Sequence, residues 1–138
     1  MVAVLLTPAV RLGALGRQAR TPPISLDEFV GLSQRLLGRT NLDARVAATY
    51  FNALIADAAN VPLLTRLAHG PGTDLAPAHL ALERTIIEWW YTGTYIVGGE
   101  RRLATHTGAL MWGALGMPAP GTCTGPFGAW ARPPRPIA

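Results

Sequence analysis

The first regular hydrophobic spacing in the chain begins at Leu26. Leu26, Phe29, Val30, Leu32, Leu36 and Leu37 fall on one helical stripe, the 3.6-residue period of an amphipathic helix. Ser25-Leu26-Asp27-Glu28 stands in front of it as a capping box, the serine hydroxyl taking the third amide and Glu28 reaching back. Gly38 supplies a left-handed stop. Asn41 then reads as the cap of a second helix over 42–58. Its Leu42, Val46, Tyr50, Leu54 and Ala58 step by four along one face, flanked by Ala47, Phe51 and Ile55.

Val61-Pro62 opens a short helical turn that ends at His69-Gly70, since proline suits the first helical position. Pro71-Gly72-Thr73 reads as a loop. Pro77 opens the longest helix, 77–92, with Leu80, Ile86, Ile87 and Trp90 as its stripe, and Gly93 and Gly98-Gly99 break it. Thr105 caps a further helix through Leu115 that Gly108 and Gly113 weaken. Beyond it proline and glycine dominate. No segment shows a strand period of useful length, and no repeat is present. The expected fold is therefore all-α: a small irregular domain of four to five helices over 25–116, a leader over 1–24 and an extended tail over 117–138.

Composition changes this picture in one respect. Of 138 residues 49% are hydrophobic and only 14% charged, against about 25% charged in an ordinary soluble domain. That excludes disorder and points to a subunit whose apolar surface something else covers. All twelve cations are arginine. Residues 1–45 carry six of them against three acids, 46–100 two against five, and 101–138 four against none. Scattered cations are not the dense basic stripe that nucleic acid requires, so nucleic-acid binding is not expected. No apolar run reaches the ~18–20 residues of a membrane-spanning helix. The N-terminal stretch is apolar and rich in small residues like the second half of an export signal, but no basic segment precedes it. A plain leader and a start placed downstream of the true one are the readings to weigh, the latter preferred.

Catalytic chemistry is sparse. His69, His79 and His106 make no metal-binding pair with one another or with Cys123, and each sits near a helix end, where a solvated or capping histidine is expected. Glu83 and Glu88 are five apart and diverge around a helix. Gly93 to Gly99 lacks the lysine, serine and strand context of a phosphate loop. Neither a catalytic constellation nor a cofactor or metal site emerges. Cys123 is the single cysteine. In an exported chain it suggests an intermolecular disulfide, against a buried thiol or a neighbour to a partner's metal cluster. Seven of the ten aromatics, including all four tryptophans, lie between Trp89 and Trp130. Either this stretch straps across its own helices or it anchors on another protein, where Trp and Arg are favoured.

Three segments, in order, resemble a known family. Trp90-Tyr91-Thr92-Gly93, then Thr105 to Ala109-Leu110-Met111, then Pro120-Gly121-Thr122-Cys123-Thr124-Gly125-Pro126-Phe127-Gly128-Ala129-Trp130-Ala131-Arg132-Pro133-Pro134 are similar to the small subunit of bacterial FAD-dependent sugar and polyol dehydrogenases. Leu26-Asp27-Glu28-Phe29 and Leu32-Ser33 to Leu36-Leu37-Gly38 fit the same family's N-terminal portion, so the resemblance spans about 25–134.

The resemblance implies a periplasmic, non-catalytic partner. In such complexes a large GMC-type subunit holds the FAD, often with an iron–sulfur cluster, and oxidises the sugar. A multihaem cytochrome c subunit frequently passes on the electrons. The small subunit carries a twin-arginine signal, helps the large one mature, escorts it folded and stays bound. The expected partner interface is Trp89, Trp90, Tyr91, Gly93, Leu110, Met111, Trp112, Phe127, Trp130 and Pro133, with Cys123 the candidate intersubunit disulfide. Two departures stand out: His106 occupies a position where the family usually has tyrosine, and the twin-arginine motif is missing. The competing readings are a stand-alone helical enzyme using His106 or His79 and a self-associating helical adaptor.

Overall fold

The computed structural model describes residues 24–70 and 76–121. Four helices of ten residues or more, α1 (Leu26–Leu37), α2 (Ala44–Ile55), α3 (Asn60–His69) and α4 (Pro77–Thr92), precede a hairpin of β1 (Thr94–Val97) and β2 (Glu100–Leu103) and a short α5 (Leu110–Ala114). The fold is mostly helical, but the antiparallel hairpin corrects the all-α expectation.

α1 starts as its sequence dictates. Ser25 Oγ accepts from the Glu28 amide at 3.2 Å, and Glu28 Oε2 takes the Ser25 amide at 2.6 Å. Ile24 immediately before the cap and Phe29 four residues after it are both fully buried in the core, the two positions of a hydrophobic staple. The folded body therefore includes Ile24, one residue earlier than the expected leader boundary. Gly38, at φ +63°, ends the helix. Arg35 donates to the carbonyls of Leu67 and Ala68, both at 3.0 Å, so a cation from α1 satisfies the free C-terminal carbonyls of α3.

The Ser25 backbone amide and hydroxyl hold the Glu28 carboxyl below its ordinary value of 4.5, and His69 adds a smaller pull in the same direction. A depressed carboxylate stabilises the fold above its unfolded value and loses that contribution as pH falls through the folded one. Acid titration of unfolding is expected to show a component below pH 4.5 that disappears in Glu28→Gln. An unchanged acid profile in that variant contradicts the assignment.

α2 starts two residues later than the spacing suggested. Asp43, not Asn41, is its cap, with Oδ1 accepting from the Arg45 and Val46 amides at 2.8 and 3.1 Å. The helix stops at Ile55, and Ala58 lies in the turn beyond it. The Asn60 side chain donates to the Leu54 carbonyl at 3.0 Å across that turn. What read as a short turn from Val61 is a ten-residue helix, α3, with Pro62 inside its first turn, where the missing amide leaves no hydrogen bond unmade.

α4 matches its expected span, although the buried stripe is Leu82, Ile86, Trp89 and Trp90, with Leu80 on the outside at 42% exposure. α1 packs against α2, α3 and α4, and α3 also packs against α2 and α4, and one core joins them: Phe29, Leu32, Tyr50, Leu54, Leu64 and Ile86 are each at most 2% exposed. Phe29 and Phe51 lie with ring centres 5.6 Å apart.

The hairpin was hidden by its composition. Gly98 and Gly99, at φ +60° and +80°, form the two-residue turn whose twist matches antiparallel strands, and they looked like helix breakers. β2 is Glu-Arg-Arg-Leu and exposed throughout, so it carries no hydrophobic alternation to read.

Candidate functional site

Two of the expected interface residues, Trp89 and Trp90, come together where α4 ends. Trp89 and Trp90 are 4% and 2% exposed. They form one aromatic cluster with Tyr50 and Tyr95, in which Tyr50 lies 5.6 Å from Trp89, 5.2 Å from Trp90 and 6.1 Å from Tyr95 between ring centres. Both indoles are thus committed to the chain's own core and are not presented at the surface. Their high aromatic content looked like an anchor because sequence alone does not distinguish a ring stacked at home from one offered abroad.

The Tyr50 hydroxyl donates to the Trp89 carbonyl at 2.7 Å, and burial pushes its phenol well above the usual range. Tyr50→Phe leaves that carbonyl with only the Gly93 amide, at 2.9 Å, and is expected to cost about 1–2 kcal/mol. Urea unfolding measures it. A change within error would show that the bond contributes nothing net.

Gly93 is the pivot of the next segment. It ends α4 at φ +72°, and its carbonyl accepts from the amides of both Ala104 and Thr105 at 2.9 and 3.1 Å. A Cβ at Gly93 would run into the Thr105 carbonyl oxygen and meet the Ala109 methyl at 3.1 Å. The chain after β2 is therefore pinned against the end of α4. Thr105 does not cap a long helix. Its Oγ1 accepts from Gly108 at 3.0 Å in a tight turn, and α5 starts only at Leu110.

α5 and its flanks are held by polar contacts around one ring. Trp112 Nε1 donates to the His106 carbonyl at 2.8 Å, His106 Nε2 lies 2.9 Å from the Pro120 carbonyl, and the two rings meet edge to face at 5.7 Å. His106 thus fastens residue 120 to the α5 segment. Tyr91, Leu110, Met111 and Trp112 are half-buried there and Gly93 is buried. Beside them the surface is apolar: Leu103 is 64% exposed, Leu115 61% and Met117 55%. Cys123, Phe127, Trp130 and Pro133 lie outside the described residues.

The histidines do not assemble into a site. His69 is paired with Glu28 at 3.4 Å. His79, expected to be solvated, is buried, with Nδ1 lacking a hydrogen-bond partner. It sits in the first turn of α4 whereas His106 follows the hairpin, so roughly 20 Å of helix, at 1.5 Å per residue, separates the two ends that carry them. Among the described residues no three His, Cys, Asp or Glu side chains are grouped as metal ligands require, and no helix is long and apolar enough to cross a membrane.

Sequence reasoning did not anticipate an open groove of about 790 Å³ between α2, α4 and the hairpin turn. Its floor is small and apolar, including Ala53, Ala78 and Ala81, and among the described residues Asp57 is its one ionisable lining residue. A single carboxylate among alanines offers no acid–base pair. The alternation of alanines on α2 and α4 carried that signal, but alanines at helical spacing equally describe close-packed helices. No protein-family model matches the chain, and no curated protein matches it.

Proposed function

We propose that this chain is a non-catalytic small subunit of a periplasmic FAD-dependent sugar, polyol or alcohol dehydrogenase, which it binds, stabilises and escorts during export and maturation. The FAD, with or without an iron–sulfur cluster, belongs to the large GMC-type subunit, and a multihaem cytochrome c completes the complex where one is present. The observation that carries the reading is the apolar surface of the segment from Leu103 to Met117, at 55–64% exposure for its three largest exposed aliphatic side chains. It lies in a chain with only 14% charged residues. An isolated soluble domain rarely leaves a chain so poor in charge with large aliphatic side chains uncovered.

The order of the resembling segments supports the same reading. Two of them, Trp90 to Gly93 and Thr105 to Met111, are brought together by the Gly93 carbonyl. They build one unit that holds Pro120, the first residue of the third, through His106. That unit would present the remainder of the chain to the large subunit. Within it the His106 ring meets the Pro120 carbonyl and the His106 carbonyl accepts from Trp112 Nε1, so both ends of the residue hold the segment together.

The test is capture of the FAD subunit by truncated chains. Ending the chain after Gly121 is expected to abolish capture while the helical body keeps its thermal unfolding. Capture undiminished by the truncation removes the tail as an anchor. A non-reducing gel of the complex then tests Cys123: a cross-linked heterodimer lost in Cys123→Ser supports the bridge, and an identical pattern in the two chains rejects it.

A further inference from the structure

The register of the hairpin fixes which backbone groups it leaves open. Across the two-residue turn, Val97 faces Glu100, Ile96 faces Arg101, Tyr95 faces Arg102 and Thr94 faces Leu103. In an antiparallel pair the opposed residues alternate between exchanging hydrogen bonds and not exchanging them. The pair that closes a two-residue turn exchanges them, so Val97–Glu100 and Tyr95–Arg102 do. The parity is confirmed one step further, where the Ala104 amide donates to the Gly93 carbonyl at 2.9 Å. Arg101 and Leu103 are then the residues of β2 whose amides and carbonyls point away from β1. Among the described residues neither has any other backbone hydrogen bond, and all four residues of β2 are exposed.

β1 is held on the body by α2 and α4, so the hairpin is anchored on that side, while the outer edge of β2 carries unpaired backbone groups of the kind that take a further strand. A second copy of this chain is a poor source for it. Antiparallel self-pairing centred on Arg101 or on Arg102 sets an arginine directly across from its own copy, and like charges so placed destabilise a sheet; centred on Leu103 it sets Arg102 across from Ala104 and gives the guanidinium no acidic partner. The same two arginines suit a strand of opposite charge. Arg101 is the more engaged of the two, giving both terminal nitrogens to Glu88 at 3.5 Å and one to Thr94 Oγ1 at 3.0 Å, whereas Arg102 makes a single 3.3 Å contact with Glu100 that leaves four of its five donors free.

We infer that the free edge of β2 is a strand-addition site that takes an extended, acidic segment of a partner protein. The backbone of Arg101 and Leu103 supplies the ladder, a carboxylate sits opposite Arg102, and an apolar side chain covers Leu103. Main-chain bonds give such a contact its affinity and the flanking side chains its selectivity. On the function proposed above, the segment belongs to the FAD-containing subunit, and this assignment alone rests on that reading.

Amide hydrogen exchange of the full chain, alone and bound to the FAD subunit, tests the inference. The outward amides of Arg101 and Leu103 are expected to slow by about tenfold or more on binding, the scale of one protected hydrogen bond, while those of Tyr95 and Arg102 start protected. Leu103→Pro removes an outward amide and keeps the inner ladder. It is expected to weaken binding about fivefold or more relative to Leu103→Ala. A complex that forms with Arg101 and Leu103 exchanging as in the free chain overturns the strand addition and leaves the proposed function standing.

If the FAD subunit does not bind at all, the proposed function falls and a peptide titration decides the edge. The probes are an eight-residue peptide of alternating Glu and Val and its Lys and Val counterpart, added to the isotope-labelled full chain. Protection of the two amides by the acidic peptide alone supports the site. No protection by either peptide, or equal protection by both, overturns it.

Discussion

Gly93→Ala is expected to destabilise the chain by roughly 3 kcal/mol or more, a size reached only by a few named mechanisms. Two act together here. The residue sits at φ +72°, where a side chain costs about 1–2 kcal/mol. The new Cβ would also strike the Thr105 carbonyl oxygen and press on Ala109. Relief requires moving backbone, because the obstacle is a main-chain carbonyl whose own segment is tied to Gly93 by two amides. The comparison that isolates the contact is Gly38→Ala. Gly38 has nearly the same φ, +63°, with nothing within 4 Å of the added carbon, so only the conformational cost of about 1–2 kcal/mol applies. Urea unfolding of both variants decides it. Equal losses would mean that the approach of Thr105 to Gly93 holds nothing in place.

The second large effect concerns recognition. Leu115→Glu combined with Met117→Glu is expected to weaken capture of the FAD subunit by about thirtyfold or more, the range of an interface hot spot, with the unfolding midpoint of the free chain little changed. Both side chains are more than half exposed, so the free chain has little packing to lose at either position. A desolvated carboxylate in an apolar interface is costly. Binding titrations together with thermal unfolding separate the two terms. Capture within about threefold of the parent, less than 1 kcal/mol, would place the interface elsewhere. Trp89→Ala is the contrasting case: its ring is 4% exposed, so that variant is expected to fail by unfolding.

Much of the helical frame was legible because its signals are local. The Ser25–Glu28 box, the Gly38 stop and the proline at the head of α4 each act within a turn of helix, and each sits where the spacing placed it. α2 slipped because Asn41 and Asp43 are both good caps and only tertiary packing chooses between them. The hairpin was not legible: β1 is partly buried by α2 and α4 while β2 is buried by nothing, so no alternation marks it, and the glycine pair is ambiguous on its own. The tryptophans show the limit for sites. Trp89 and Trp90 look the same in sequence as Trp112, yet the first two close the core around Tyr50 and the third is half-buried over His106.

The partner reading makes the missing charge intelligible as a surface with two parts. One is apolar, from Leu103 to Met117. The other carries Arg101 and Arg102, each beside one carboxylate, Glu88 and Glu100. On the proposed reading both would meet a larger protein with an acidic, partly apolar face.

The most direct measurement is recovery of the full chain after co-expression with the FAD-dependent dehydrogenase subunit, followed by size separation with flavin absorbance recorded. The account predicts that the chain elutes with a much larger yellow polypeptide, and that the yellow subunit expressed without it is depleted from the periplasm. Elution of the chain by itself, colourless, with the flavoprotein correctly exported in its absence, would contradict it.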